Sequence, residues 1–252
     1  MDVNYNFRKK QKCIDAVLKM WYNKNRKILG GKNMKNIWNK VDLTMLKRTT
    51  SSKDIMNLCE KAKILKTASV CVPSYYVSQV KFYLEDSDIK VCTVVGFPNG
   101  NCSTATKVAE TIQALNDGAL EIDMVINIGE AVAENWQYVA DDIKAVVEAI
   151  DMHKCGCDIV TLKVIVETCC LNEWQIKKMC QICAECGADY IKTSTGFAEH
   201  GATIEAVSIM KETITKNNYD LKIKASGGIR TMEDAKRYID IGADRIGASN
   251  LQ

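Results

Sequence analysis

The chain is expected to fold as an α/β protein: a single (β/α)8 barrel of the TIM type, with an N-terminal helical extension and a missing or very short eighth helix. Three observations lead there. The length is 252 residues, 47% of them hydrophobic, enough for one large barrel core. Beyond residue 38, short β-branched runs alternate with longer helical segments, the mark of parallel βαβ units. No linker or composition break divides the body, and the two prolines stand at 73 and 98. A doubly wound open sheet is the alternative arrangement of the same elements.

The elements follow in order. Residues 1–38 form a basic leader with ten Lys/Arg against two Asp, whereas 39–252 carry 24 basic and 29 acidic residues. In the leader, Ile14, Val17, Leu18 and Trp21 recur at helical spacing, so a helix there packs one face on the body. Its charge reads as a solvated helix face rather than a nucleic-acid or membrane contact. The body, 39–252, supplies eight strand candidates. They are Lys40–Leu43, Ser69–Val72, Lys90–Val95, Glu121–Ile126, Thr161–Glu167, Tyr190–Ser194, Lys222–Ala225 and Arg245–Ala248. Helices are predicted over 52–66, 74–84, 103–117, 134–151, 172–187, 203–217 and 231–241. Ser51 or Ser52 can cap the first, and Gly118, Gly187 and Gly242 sit where helix C-termini want a left-handed residue.

Composition excludes several classes. A charged fraction of 26% is that of a folded chain rather than a disordered one. No apolar run approaches a membrane span, and the N-terminus lacks the apolar core of a secretory signal. The twelve cysteines are therefore expected as reduced thiols in the cytoplasm. Cys180, Cys183 and Cys186 are spaced by three, part of a metal-cluster pattern. They also fall on one face of a predicted helix, where they behave as small core hydrophobes. The two histidines, His153 and His200, have no metal-like spacing to them, so no metal is expected.

Strand parity carries the first functional signal. Alternate residues of a barrel strand face the lumen, the others the helices. Ile122, Met124 and Ile126 face out, which turns Asp123 inward; by the same rule Lys163, Lys192 with Ser194, and Lys224 point inward, as do Asp42 and Thr44. A barrel lumen is normally filled with branched apolar residues. Any one buried lysine is readily explained as a paired ion. Three on adjacent strands are not, because each costs several kcal/mol unless paired or neutralised. Crowding and desolvation are expected to depress at least one amine, and a neutral amine attacks carbonyls. Asp123 would serve proton transfer.

Glycine placement carries the second signal. The sixth, seventh and eighth strands run into Thr195-Gly196, Gly227-Gly228 and Gly247-Ala248-Ser249. Such strand ends let backbone N–H groups approach an anion, and the loops after strands 7 and 8 are the usual phosphate seat of this barrel. Together the two signals point to a phosphorylated carbonyl substrate.

The segments Ile122–Asn127, Leu162–Thr168, Tyr190–Gly196 and Ile223–Thr231, in that spelling and order, resemble the deoxyribose-phosphate aldolase family. The likeness begins near Asp42-Leu43-Thr44, takes in Val70-Cys71-Val72 and Val95-Gly96-Phe97-Pro98, and ends at Gly247-Ala248-Ser249. It implies a class I aldolase of carbohydrate and deoxyribonucleotide catabolism, without cofactor or metal. Such an enzyme cleaves 2-deoxy-D-ribose 5-phosphate reversibly into acetaldehyde and D-glyceraldehyde 3-phosphate. It implies that Lys192 forms the Schiff base, that Lys224 lowers the pKa of Lys192 and helps move protons, and that Asp123 relays protons. It implies a phosphate site at Thr195, Gly196, Gly227, Gly228, Gly247 and Ser249, a pocket lined by Asp42, Thr44, Cys71 and Lys163, and a homo-oligomer, dimer or tetramer. The family usually continues past strand 8 into a helix; here the 7–22 helix is expected to shield the seam between strands 8 and 1. Two alternatives are a Schiff-base barrel acting on another phosphorylated sugar, and a non-catalytic or metal-binding barrel built on the cysteine cluster.

Overall fold

The computed structural model describes residues 37–153 and 159–252; the leader and its expected 7–22 helix lie outside them. Eight strands form the barrel: β1 Val41–Thr44, β2 Ser69–Val72, β3 Lys90–Val95, β4 Glu121–Val125, β5 Thr161–Ile165, β6 Tyr190–Lys192, β7 Lys222–Ser226 and β8 Arg245–Ala248. They pair in parallel in sequence order and close through β8 on β1. Closure decides against the open sheet. The helices are α1 Ser52–Leu65, α2 Val77–Leu84, α3 Thr104–Asp117, α4 Ile128–Val132, α5 Trp136–His153, α6 Glu173–Glu185, α7 Ile204–Asn217 and α8 Met232–Asp240. No described helix is long and apolar enough to cross a membrane.

Local chemistry sets the helix ends. Ser51 accepts from the Asp54 amide while Asp54 accepts from the Ser51 amide, a capping box that starts α1. Asn172 and Gln175 do the same for α6. Gly118 takes φ +103 to end α3, as the sequence pattern predicts. Helix α4 is unpredicted: its five residues are too few to show a 3.6-residue period, and Asn127 caps it. It brings the helices to eight, and among the described residues none follows β8. There Leu251 is buried, Gln252 exchanges backbone hydrogen bonds with Arg230 and Met232, and Lys61 of α1 donates to Asn250 at 2.6 Å.

The core is the layer between barrel and helices. Outward strand residues Leu43, Val72, Ile122, Met124, Val164 and Ile191 are buried there against residues such as Ile55, Ile143 and Met179. Each contributes roughly 1.5–3 kcal/mol of apolar burial. Cys180, Cys183 and Cys186 belong to this layer. Burial pushes the Cys180 thiol up to about 12 and raises the Cys183 thiol well above its usual range. A second, small apolar cluster lies inside the barrel: Cys71, Cys92 and Val94, with Leu46 and Phe97 against it. Alternation along each strand thus separates an apolar outer face from a mixed inner one.

Candidate active site

The inner face gathers charge from six strands. Asp123 on β4 accepts from three lysines: Lys163 of β5 at 2.9 Å on Oδ1, and Lys192 of β6 at 2.7 Å and Lys224 of β7 at 2.6 Å on Oδ2. Asp42 of β1 pairs with Lys224, with Lys163 at 3.6 Å and with Arg245 of β8 at 2.7 Å. Glu121, two residues before Asp123, holds Lys163 at 2.6 Å and Arg245 at 3.3 Å. Cys92 of β3 donates to Asp123 at 3.3 Å and stands 3.4 Å from the Lys163 amine. Lys163, Lys224, Asp42 and Asp123 are fully buried, and Lys192 is 3% exposed.

The set holds four cations and three carboxylates, one net positive charge. Burial pulls the Lys163 and Lys224 amines down, but the facing carboxylates, Asp123 first, outweigh it and hold both above the ordinary lysine range. Burial pushes the Asp123 carboxyl up, and Lys163, Lys192 and Lys224 outweigh it, holding it well below the usual carboxylate range. Asp42 is lowered too, by Lys224, Lys163 and Arg245 against its burial. The expected depression of an amine by crowding is therefore reversed at Lys163 and Lys224: the strands that bring in the lysines also bring in the carboxylates.

The lysines differ in how tightly they are held. Among the described residues Lys163 faces three carboxylates, Lys224 two, and Lys192 is paired with Asp123 alone. Lys192 is also the last residue of β6, at the C-terminal mouth where barrel enzymes work. Two sets of donor atoms lie within 4.8 Å of one another, Cys71 with Cys92 and Asp123, and Asp42 with Cys92 and Glu121. The Lys163 ammonium lies within 3.6 Å of Asp42, Glu121, Asp123 and Cys92, so it already supplies the positive charge these donors want.

Above the ions, β6, β7 and β8 are neighbours, which puts their glycine-bearing ends side by side as the sequence predicts. Gly227 takes φ +86, and a Cβ there would stand 2.9 Å from the Gly201 Cα. A Cβ on Gly247 would stand 2.9 Å from the Ser226 Cβ and 3.2 Å from the Lys224 Cε. Any larger residue at either position would push the loops apart or displace Lys224. Gly196 and Gly228 also take positive φ, Gly228 with open space over it, and Ser249 is exposed at the end of β8. Thr195 is tied down by Glu167, whose carboxylate accepts from the Thr195 amide (3.3 and 3.2 Å) and hydroxyl. Thr44 donates to the Asp42 carbonyl at 2.9 Å, and Cys71 lies opposite Cys92. Phe97 and Phe197 meet edge to face at 5.2 Å above the lumen cluster.

The sequence reading missed Glu121, Arg245 and Cys92, all within its reach: Glu121 shares parity with Asp123, Arg245 with Gly247, and Cys92 with Val94. Parity turns Glu167 inward with Lys163, but the sequence gives it no role. Ser194 Oγ and Thr168 Oγ1 are buried with no hydrogen-bond partner among the described residues; both border the mouth.

Known proteins match this chain in sequence and fold. The model of the DeoC/LacD family aldolases matches residues 38–251. A deoxyribose-phosphate aldolase of Treponema denticola is 47% identical over 210 residues, covering 83% of this chain and 94% of that protein. The solved structure of an aldolase, QR15, superposes with a TM-score of 0.78 at 40% identity, covering 85% of this chain and 91% of that one. The tetrameric deoxyribose phosphate aldolase of Aeropyrum pernix gives 0.78 at 25% identity, covering 86% and 88%. The closed barrel, its ion-filled lumen and these matches lead to one statement: the chain belongs to the DeoC/LacD family of aldolases.

Proposed function

We propose that this chain is a deoxyribose-phosphate aldolase, a lyase that cleaves 2-deoxy-D-ribose 5-phosphate into acetaldehyde and D-glyceraldehyde 3-phosphate through a Schiff base on Lys192. The observation that carries the assignment of Lys192 is its place in the ion set of the lumen. Lys192 meets the one carboxylate of Asp123, where Lys224 meets two and Lys163 three, and it ends β6 at the open mouth, so it is the amine least tied into the ion pairs.

Neutral Lys192 adds to the C1 aldehyde, and loss of water gives the protonated imine, an electron sink. The carbon count fixes the bond that breaks. Two carbons leave as acetaldehyde, so C2–C3 is cleaved, not C3–C4, and the hydroxyl that loses its proton is that on C3. The remaining enamine is protonated at C2 and hydrolysed. Asp123 Oδ2 lies between the Lys192 and Lys224 amines, so a proton can pass among the three groups beside the reacting carbons. Lys163, itself held by Asp42 and Glu121, keeps Asp123 ionised and in place. Thr195, Gly196, Gly227, Gly228, Gly247 and Ser249 receive the phosphate, remote from the bond that breaks, and align the open-chain sugar. Ser194 and Thr168 offer hydroxyls to the substrate.

A homo-oligomer is part of the proposal, in keeping with the tetrameric Aeropyrum pernix relative. The described cysteines are free thiols, in keeping with a reducing, cytoplasmic setting. The test is cleavage of 2-deoxyribose 5-phosphate in the presence of a chelator, read as acetaldehyde and glyceraldehyde 3-phosphate. Chelator-insensitive turnover is expected; no turnover by folded protein would overturn the reading.

A further inference from the structure

Two cysteines on the rim have no part in this chemistry. After β5, Glu167 takes φ +53, and Thr168–Cys170 form a single 3-10 turn closed by the Cys170 amide on the Glu167 carbonyl. A non-glycine residue in the left-handed region is uncommon and marks sites where surrounding contacts enforce the backbone. The turn presents Cys169 and Cys170 outward, both exposed, with their sulfurs 4.0 Å apart. The other described cysteines are buried or, for Cys102, half-buried. Cys169 Sγ also stands 4.0 Å from Glu167 Oε1.

Glu167 is the link to the site. Its carboxylate takes the Thr195 amide and hydroxyl, and the Thr195 hydroxyl in turn accepts from the Phe197 amide at 3.1 Å. One short chain of contacts therefore runs from Cys169 to the loop that begins the phosphate seat.

We propose that Cys169 and Cys170 form a dithiol site that captures trivalent arsenicals, and that its occupancy weakens substrate phosphate binding by drawing Glu167 away from Thr195. The sulfurs are close enough for one arsenic atom to bridge them by side-chain rotation. The step balances without a redox change. An organic arsenoxide, R–As=O, reacts with two thiols; two As–S bonds form, and the oxygen leaves with both thiol protons as water. Placing an arsenic substituent beside Glu167 crowds a carboxylate whose geometry holds the Thr195 loop. The effect on substrate rests on the aldolase reading above; the capture does not.

The experiment uses phenylarsine oxide on the full-length chain. Mass spectrometry of digests is expected to place one equivalent across Cys169 and Cys170, removed by a dithiol and not by a monothiol, and absent from the Cys169→Ser/Cys170→Ser variant. KM for the phosphorylated substrate is expected to rise about fivefold, the scale of one hydrogen bond, with kcat changed less and turnover of unphosphorylated deoxyribose unmoved. Amide exchange at Thr195 and Phe197, which needs no turnover, is expected to quicken on capture. An adduct found only elsewhere, for example across Cys155 and Cys157, or equal capture by the variant, would overturn the site. An adduct at Cys169 and Cys170 with unchanged exchange at Thr195 and Phe197 would overturn the coupling. Absence of turnover before any arsenical is added would count against the aldolase reading alone.

Discussion

Two buried lysine sites divide structure from chemistry in this molecule. Between α3 and α5, Lys107 pairs with Asp142 at 2.5 Å, and Thr104 donates to the second Asp142 oxygen at 2.8 Å. Both ions are fully buried, and one charge cancels the other. In the lumen, Lys163, Lys192 and Lys224 are buried as deeply, but with Arg245 they outnumber Asp42, Glu121 and Asp123 by one. Burial of a lysine is common to both sites; the imbalance belongs to the lumen. A balanced pair has no proton to spare, whereas a set with one cation in excess can release one and become neutral. That difference teaches why a lysine count alone does not locate a nucleophile.

The first way to break the comparison is to remove one lysine from each site. Lys192→Ala should reduce cleavage by more than about a thousandfold, as loss of a nucleophile does, while circular dichroism shows an intact barrel. Substantial turnover by that variant would place the nucleophile elsewhere. Asp123→Asn comes next. It leaves three ammonium groups around a neutral amide, and removing one partner of a buried ion set costs about 3–5 kcal/mol. A melting temperature lower by about 10 °C and loss of turnover are both expected; an unchanged melting temperature would contradict the network.

Lys107→Ala should cost about 3–5 kcal/mol as well, because it strands Asp142, yet kcat measured below the melting transition should stay near wild type. Lys107→Met with Asp142→Leu should recover most of that stability. A fall in kcat matching Lys192→Ala would erase the distinction between the sites.

Much of this contrast is legible in the sequence, for a definite reason. Strand parity is a period of two, so four or five residues suffice to turn Asp123, Lys163 and Lys224 inward. Helix ends are legible because Ser51 and Gly118 act locally. The Lys107–Asp142 pair is not, since its partners are 35 residues apart and both look like ordinary charged helix residues. The charge balance of the lumen needs the register that brings Asp42 beside Lys224 across β8, and no pattern within one strand carries that. Gly201 escaped for the same reason: its role is a close approach to Gly227, visible once two loops meet.

The smallest expected effect concerns pH. Asp42 and Asp123 have folded pKa values held below the ordinary 3.8. Their contribution to stability is fully present above 3.8 and is lost as pH falls through the lowered folded values. Urea midpoints should therefore change little on their account between pH 7 and 5 and fall below 3.8, with a shallower acid fall in Asp123→Asn. An equally steep fall in that variant would remove Asp123 from the account.

The central claim is that Lys192, the lumen lysine with the fewest carboxylate contacts, is the nucleophile. Borohydride reduction of the enzyme with acetaldehyde, followed by peptide mapping, tests it most directly. A single reduced adduct on Lys192 is the predicted result. Labelling of Lys163 or Lys224 instead, or no adduct on folded protein, would contradict it.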